Sequence, residues 1–129
     1  MRVLLLEDTE DRQSFFKKLY TGHDIHIHNT VEECVDQMRR IVFDQIWLDH
    51  DLGGAQYMES GPGSGYEVIK PMLAKDIYDL QKNAFVYIHS QNPAGAVRMY
   101  EELKDVYKTI VFPMTAVYSY YKNVVKKII

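Results

Sequence analysis

The sequence predicts an α/β fold in which a parallel β-sheet lies between two layers of helices. Short apolar runs alternate along the chain with segments of helical spacing, and five such strand–helix units follow one another. The first run is wholly apolar, as in strands that are covered on both faces. Right-handed crossovers between parallel strands place helices on both sides of such a sheet. We therefore expect a three-layer α/β sandwich.

Each predicted strand is an apolar run that stops at polar residues. The first consists of Val and Leu and ends at Glu7, and the second alternates Ile with His. The fifth is rich in β-branched and aromatic residues, which favour strands. In chain order, the predicted strands cover 3–6, 24–28, 44–48, 84–88 and 109–112.

The predicted helices occupy the intervals between these strands. Thr30 and Glu33 form a capping box, which marks the start of the second helix. Pro71 could interrupt the third helix, whereas Pro93 suits the first position of the fourth. In chain order, the predicted helices cover 10–20, 31–40, 65–80, 93–107 and 115–129.

Composition indicates one ordinary domain, 1–129. The chain is 47% hydrophobic and 26% charged, and its net charge of −3 gives no general attraction to nucleic acid. Cys34 is the only cysteine, which excludes an internal disulfide and a cysteine-based zinc cluster and fits the cytoplasm. The first apolar run ends too early for a signal sequence, and no run has membrane-spanning length. We expect a cytoplasmic protein with no membrane partner.

Polar residues follow three of the predicted strands. Glu7 and Asp8 end the first strand, 49–51 (Asp-His-Asp) end the third, and 89–92 (His-Ser-Gln-Asn) end the fourth. Buried acids and histidines are costly unless they bind or react. Since parallel α/β sheets bind ligands at the carboxyl ends of their strands, these three groups predict one site at that edge.

The motifs that contain these groups resemble a known family. Segments 5–8 and 47–49, with Ser90 after the fourth strand, resemble a two-component receiver domain, in which acids on the first strand and an aspartate on the third hold a divalent cation. Segments 48–53, 64–68 and 89–99 more narrowly resemble the cyclic-phosphate processing receiver domain, and the likeness covers nearly the whole chain. The resemblance implies a flavodoxin-like fold with strand order 2-1-3-4-5. It also implies the handling of cyclic phosphates, with RNA ends among the candidates.

One departure from ordinary receivers bears on function. Receivers that accept a phosphoryl group carry a lysine before a proline at the end of the fifth strand, whereas this chain has Phe112 before Pro113. Without that cation, and with His50 and His89 added, the site suits proton transfer better than storage of a phosphoryl group. We therefore rank a receiver phosphorylated on Asp49 second, and a non-catalytic receiver-like binding module third.

Opening a cyclic phosphodiester requires proton transfer and stabilisation of negative charge. His50 and His89 are the predicted acid and base in either order, because imidazole titrates near neutrality. Asp49 and Asp51 complete the predicted catalytic set, since carboxylates can orient histidines. The expected enzyme is a cyclic phosphodiesterase or related hydrolase.

The remaining polar residues are assigned to cation and substrate. Glu7, Asp8 and Asp49 are the predicted ligands of Mg²⁺ or a similar hard cation, because carboxylates alone would repel phosphate. Ser90 and Asn92 are predicted to hold phosphate oxygens, although both also suit the start of the helix at Pro93.

Two further expectations concern surfaces. The glycine-rich connection from 53 to 65 lies next to the site and is predicted to act as a lid over the substrate. The last helix has a broad apolar face, which predicts a homodimer through that helix.

Overall fold

A computed structural model of the protein describes residues 1–53 and 58–125. Its strands are β1 (Arg2–Leu6), β2 (Asp24–His28), β3 (Gln45–Leu48), β4 (Phe85–Ile88) and β5 (Lys108–Val111). They form one parallel sheet in the order β2-β1-β3-β4-β5. The predicted fold and strand order are therefore confirmed.

The helices fill the intervals between the strands, as predicted. They are α1 (Glu10–Leu19), α2 (Val31–Met38), α3 (Ile69–Leu73), α4 (Lys75–Gln81), α5 (Pro93–Leu103) and α6 (Met114–Tyr120). A 3₁₀ turn, Gly65–Val68, leads into α3, and a π-helical turn, Tyr121–Val125, follows α6. In the described ranges, no helix is long and apolar enough to cross a membrane.

The third predicted helix is divided, but not at the proline. Pro71 lies in the first turn of α3, where its missing amide hydrogen costs little because such amides have no partner within the helix. The chain instead becomes extended at Ala74, with ψ of 147°. The helix that starts at Pro93 ends at Leu103, earlier than predicted. The last four residues of the predicted final helix, 126–129, lie outside the described ranges.

Two apolar layers cover the sheet, one on each face. On the first face, alternate strand residues such as Leu6, Leu48 and Ile88 pack under α2, α3, α4 and α5. On the second face, Leu5 and Trp47 pack with residues of α1 and α6. Because strand side chains alternate between faces, the polar residue that follows each central strand is sent to a definite side.

The strand register places three polar positions side by side. Leu6 pairs with Leu48, and Leu48 pairs with Ile88. The next residues along the three central strands are therefore neighbours at the carboxyl edge of the sheet, and they follow the alternation onto the second face. These residues are Glu7, Asp49 and His89.

Candidate functional site

Glu7, Asp49 and His89 form a buried group, here called the acidic cluster, at the carboxyl ends of β1, β3 and β4. Each offers a ligand atom, and these atoms lie within 4.8 Å of one another. The exposed fraction is 0% for Glu7 and His89 and 2% for Asp49. Oxygen and imidazole donors at this spacing suit a divalent cation. The arrangement is thus a candidate metal site.

The Glu7 carboxylate is held by hydrogen bonds on both oxygens. Oε2 accepts the Thr9 amide at 2.9 Å, and Oε1 lies 3.0 Å from Nε2 of His89. Burial alone would raise the pKa of Glu7, but the hydrogen bond and charge of His89 and the Thr9 amide outweigh it and leave that pKa lowered. Glu7 is therefore ionised and accepts, so Nε2 of His89 carries the proton between them.

Asp49 is the acid of the cluster whose charged form is the less favoured. Burial raises its pKa to about 6, because the nearby charge of Glu7 adds to desolvation and outweighs the help from His89 and Arg12. Its Oδ1 accepts the His50 amide at 2.8 Å, and its Oδ2 faces Arg12. A buried carboxylate in this state gains most from a bound cation.

Arg12 of α1 bridges the two acids, and sequence reasoning missed it. Its NH1 lies 3.6 Å from Oε1 of Glu7 and 3.8 Å from Oδ2 of Asp49. The side chain is 29% exposed, whereas both acids are buried, so Arg12 is the partner of the acids that reaches solvent. The only sequence signal was its position one helical turn after the first polar group, and that signal is weak because most arginines at such positions are solvated.

His89 sits in an aromatic surrounding below the acids. Its ring centroid lies 5.2 Å from that of Phe16 and 6.0 Å from that of Trp47. While Nε2 faces Glu7, the buried Nδ1 has no hydrogen-bond partner in the described part of the chain. Metal-binding histidines usually donate their second ring nitrogen to an acceptor. His89 therefore fits proton transfer better than metal ligation.

His50 lies on the first face of the sheet and belongs to a different group, here called the His50 cluster: His50, Asp51, Ser60 and Asn92. Nδ1 of His50 donates to Oδ1 of Asp51 at 2.7 Å, and the Ser60 hydroxyl lies 2.8 Å from Nε2. The side chain is fully buried. Both ring nitrogens of His50 have partners within its own cluster, as in a structural residue, and its predicted catalytic role stays a prediction.

Asn92 joins the His50 cluster to the start of α5. Its side-chain oxygen accepts the Gly95 amide at 3.0 Å, which caps the helix. Its Nδ2 donates to Asp51 Oδ1 and to the Met58 carbonyl, each at 3.0 Å. Ser90 is also buried, and its hydroxyl accepts the Asn92 amide at 3.1 Å. Asn92 therefore caps α5, Ser90 holds the turn that precedes it, and their predicted substrate contacts stay a prediction.

Two glycines allow the backbone to approach the site closely. A Cβ added at Gly65 would lie 1.7 Å from the Asp49 carbonyl oxygen, and one at Gly95 would lie 2.4 Å from Cγ of His50. The Gly65 amide donates to the His50 carbonyl at 2.7 Å. These contacts give a physical reason for glycine in the segments 64–68 and 89–99 that carry the family resemblance.

The other predicted site residues fall around these two clusters. Asp8 follows Glu7 and is partly exposed, outside the group of three ligand atoms. Asp51 bonds within the His50 cluster. The predicted lid includes 54–57, which lie outside the described residues, and its described part is tied down by Ser60 and Met58. Lid motion therefore stays a prediction.

The position of the receiver lysine is occupied by an aromatic side chain. Phe112 follows β5, its amide donates to the Ile88 carbonyl at 2.8 Å, and its ring stacks at 5.9 Å from that of Trp47. It packs against the apolar layer of the second face. This position therefore supplies no positive charge to the acidic cluster.

The sequence matches the family described as Cyclic-phosphate processing Receiver domain over residues 2–105. This match covers most of the chain, and the protein belongs to that family. No protein with a curated description matched it significantly.

Solved structures of receiver domains share the fold at low sequence identity. A CheY-like receiver domain from Methylobacillus flagellatus has a TM-score of 0.64 and 14% identity, covering 100% of this chain and 98% of that one. A Burkholderia pseudomallei response regulator, solved with a phosphorylated aspartic acid, calcium ion and citrate, has a TM-score of 0.60 and 17% identity, covering 97% and 74%. The response regulator domain of Thermotoga maritima CheB has a TM-score of 0.60 and 16% identity, covering 99% and 90%. The fold is that of response-regulator receivers.

Proposed function

We propose that this protein hydrolyses cyclic phosphate esters at the acidic cluster, with the help of Mg²⁺ or a similar divalent cation. One observation carries the proposal: two buried acids and a buried histidine converge within 4.8 Å at the edge of the sheet, in a member of this family. Such a group is unfavourable unless a ligand compensates it.

The two acids are suited to binding a cation. Glu7 and Asp49 supply hard oxygen ligands, and Asp8, which follows Glu7 and is partly exposed, is the proposed third. A bound divalent cation would offset the charge of the phosphate and lower the pKa of the attacking water. The raised pKa of Asp49 supports this assignment, because burial leaves its negative charge undercompensated.

His89 is the proposed proton donor. Its Nε2 carries a proton toward Oε1 of Glu7 at 3.0 Å, and that contact fixes the orientation of the ring. In the proposed reaction, His89 starts as the imidazolium, with a proton on each ring nitrogen. Water forms a new bond to phosphorus, the ring P–O bond breaks, and the leaving ester oxygen takes one proton of His89. The proton that the water loses restores His89, so the protein ends the cycle unchanged.

The test is turnover of a 2',3'-cyclic nucleotide by the purified protein with Mg²⁺ or Mn²⁺, followed by phosphorus NMR. We expect Asp49→Asn and His89→Gln to lower turnover by about 100-fold or more, as for loss of a proton carrier or a cation ligand. His23→Gln is the matched control, because His23 is exposed near the opposite edge of the sheet. Absence of turnover in the wild-type protein with either cation, on nucleotide and RNA-end substrates alike, would refute the proposal.

A second candidate function is a phosphoryl acceptor at Asp49. Its favouring observation is the place of Asp49 at the end of β3 in a receiver fold, with Oδ2 turned away from the backbone amide that Oδ1 binds. Phe112 weakens it, because no cation at that position would neutralise the acyl phosphate. Incubation with acetyl phosphate and Mg²⁺ separates the two: a phosphoryl group on Asp49 without cyclic-nucleotide turnover would favour this candidate.

The proposed substrate is small or is the end of an RNA chain. The net charge of −3 offers no long-range attraction to a polyanion, so the phosphate has to be recognised locally. Comparing a cyclic mononucleotide with a short RNA that ends in a cyclic phosphate distinguishes the two sources. The same preparation tests the predicted homodimer: sedimentation as a monomer at high protein concentration would contradict it.

A further inference from the structure

We propose that Arg12 is a phosphate-binding residue, which leaves the acidic pair when a divalent cation binds there and then contacts the substrate phosphate. The inference rests on the proposed function in that the ligand is a phosphate ester. It assigns to α1 the positive charge that ordinary receivers place after β5.

The contacts of Arg12 with the acids are ionic rather than hydrogen bonds. NH1 lies 3.6 Å from Glu7 and 3.8 Å from Asp49, and both distances exceed the range of a good N–H···O bond. The guanidinium therefore holds its position by charge alone, and these acids do not consume its donors. A group held in this way is easily replaced by a stronger cation.

A divalent cation competes for the same two oxygens. NH1 lies 3.6 Å from Oε1 of Glu7 and 3.8 Å from Oδ2 of Asp49, and each of these acids offers an oxygen to the group of ligand atoms within 4.8 Å. A cation bonded to these carboxylates at about 2.0–2.6 Å leaves no space for NH1 and repels its charge. The side chain is 29% exposed, so it can turn outward without crossing the core.

The outward position is the one from which phosphate would arrive. Glu7 and Asp49 are buried and pair with the partly exposed Arg12, so movement of this side chain would free their oxygens. A guanidinium matches two phosphate oxygens with two parallel N–H donors, which lysine cannot do. Among the Lys and Arg residues of the described ranges, Arg12 is the one that forms ion pairs with the acidic cluster.

The experiment measures binding rather than turnover. Isothermal titration with Mn²⁺ alone, and then with inorganic phosphate in saturating Mn²⁺, compares wild type with Arg12→Gln and Arg12→Lys. We expect Arg12→Gln to bind Mn²⁺ about 3- to 10-fold more tightly, because the competitor is gone, and phosphate about 10-fold or more weakly. Arg12→Lys should keep Mn²⁺ affinity near wild type and still lose phosphate affinity, because it keeps the charge but not the paired donors.

The matched control is Arg39→Gln, since Arg39 forms an exposed ion pair with Asp76. Both affinities should then be unchanged. Unchanged or weaker Mn²⁺ binding in Arg12→Gln, or unchanged phosphate binding, would overturn the inference. Should Arg12→Gln not fold, as judged by circular dichroism, the phosphate affinity of Arg12→Lys decides alone.

The two proposals can fail separately. Cyclic-nucleotide turnover by wild type, together with unaltered phosphate binding in Arg12→Gln, would leave the proposed function standing and remove the role of Arg12. Conversely, the expected shifts in Mn²⁺ and phosphate affinity without any turnover would support Arg12 as a phosphate-binding residue and reject the hydrolase.

Discussion

The acidic cluster and the His50 cluster lie at the same edge of one sheet, and each contains a fully buried histidine next to an acid. They differ in how completely their polar atoms are bonded. In the His50 cluster, Asp51 and Ser60 occupy both ring nitrogens of His50. In the acidic cluster, Nδ1 of His89 has no partner within the described residues. Burial is therefore common to both clusters, whereas polar satisfaction is not.

The difference separates structure from reactivity. A buried network with all its hydrogen bonds made fixes loops in place and gains nothing from a ligand. The acidic cluster instead holds two carboxylates that one loosely placed arginine partly compensates, and burial raises the pKa of Asp49 to about 6. Groups in that state are candidates for binding and proton transfer. We therefore expect proton transfer at His89 and loop anchoring at His50.

The strongest test of this comparison is to replace each histidine by alanine and to compare the effects on turnover and on stability. We expect His89→Ala to lower cyclic-nucleotide turnover by about 100-fold or more, because the proton donor is lost. His50→Ala should instead lower the free energy of unfolding by about 2–4 kcal/mol, because it leaves buried partners unsatisfied and a cavity. Turnover and urea unfolding of both variants provide the measurement.

Exposed His23 again supplies the reference variant, His23→Ala, which should change neither quantity. Turnover should be normalised to the folded fraction, so that instability of His50→Ala is not counted as lost chemistry. Loss of turnover in fully folded His50→Ala, equal to that of His89→Ala, would restore the two-histidine catalyst that the sequence predicts.

The glycine beneath His50 tests whether that cluster is structural. In Gly95→Ala the new methyl would lie 2.4 Å from Cγ of His50, whose ring is pinned at both nitrogens. We expect a loss of about 2–3 kcal/mol in unfolding free energy, as for overpacking of a filled interior. Gly61→Ala is the control, because nothing lies within 4 Å of a Cβ there.

A double variant makes the glycine test specific. Removing the ring in Gly95→Ala/His50→Ala relieves the clash. The double variant should therefore lose less unfolding free energy than the sum of the two single variants. Strict additivity would mean that Gly95 matters for another reason.

The sequence predicts the fold and the edge of the sheet at which the polar residues gather. It does not predict that His50 and His89 lie in different clusters. Apolar runs and helix-start residues reflect local physics, so β2 begins and ends at the predicted residues. The two clusters are separate because strand side chains alternate between faces. Trp47 packs on the second face and Leu48 on the first, so Asp49 and His50 lie on opposite faces. That alternation can be read only once the strands are aligned, and the roles predicted for the two histidines stay predictions.

Arg12 shows what the sequence could not supply. Its role depends on the distance between an α1 side chain and two strand ends, and no local pattern encodes that distance. Gly65 and Gly95 belong to the same class, since their need for a bare Cα arises from the packing of other segments against them. Tertiary proximity, rather than composition, determines these positions.

The raised pKa of Asp49 predicts that the stability of the acidic cluster depends on pH. The folded state keeps a proton on Asp49 up to a pKa of about 6, whereas the unfolded chain releases it near the ordinary value of 3.8. Stability from this group is therefore greatest at acid pH and falls as the pH rises through that window. Asp49→Asn should exceed wild type in unfolding free energy by about 2–3 kcal/mol more at about pH 7.5 than at about pH 4.

Thermal or urea unfolding at both pH values measures this difference. Gly61→Ala is the comparison variant, because it changes no titratable group and should show no such pH dependence. If wild type instead became more stable relative to Asp49→Asn as the pH rose from acidic to neutral, the raised pKa of Asp49 would be contradicted. Mg²⁺ at neutral pH should reduce the gap, because the cation relieves the same uncompensated charge.

The smallest expected effect concerns local opening. It shows whether the start of α1 or the segment 58–64 responds to the ligand. On adding Mg²⁺ and inorganic phosphate, hydrogen exchange should slow at the start of α1, because the Thr9 amide bonds to Glu7 and Arg12 changes partner nearby. Amides of 58–64 should change less than about twofold, since Ser60 and Met58 already bind His50 and Asn92. The reverse pattern, with protection gained in 58–64 and none in α1, would support the predicted lid and would count against Arg12 as the moving part, because the opening would then lie on the side of the His50 cluster.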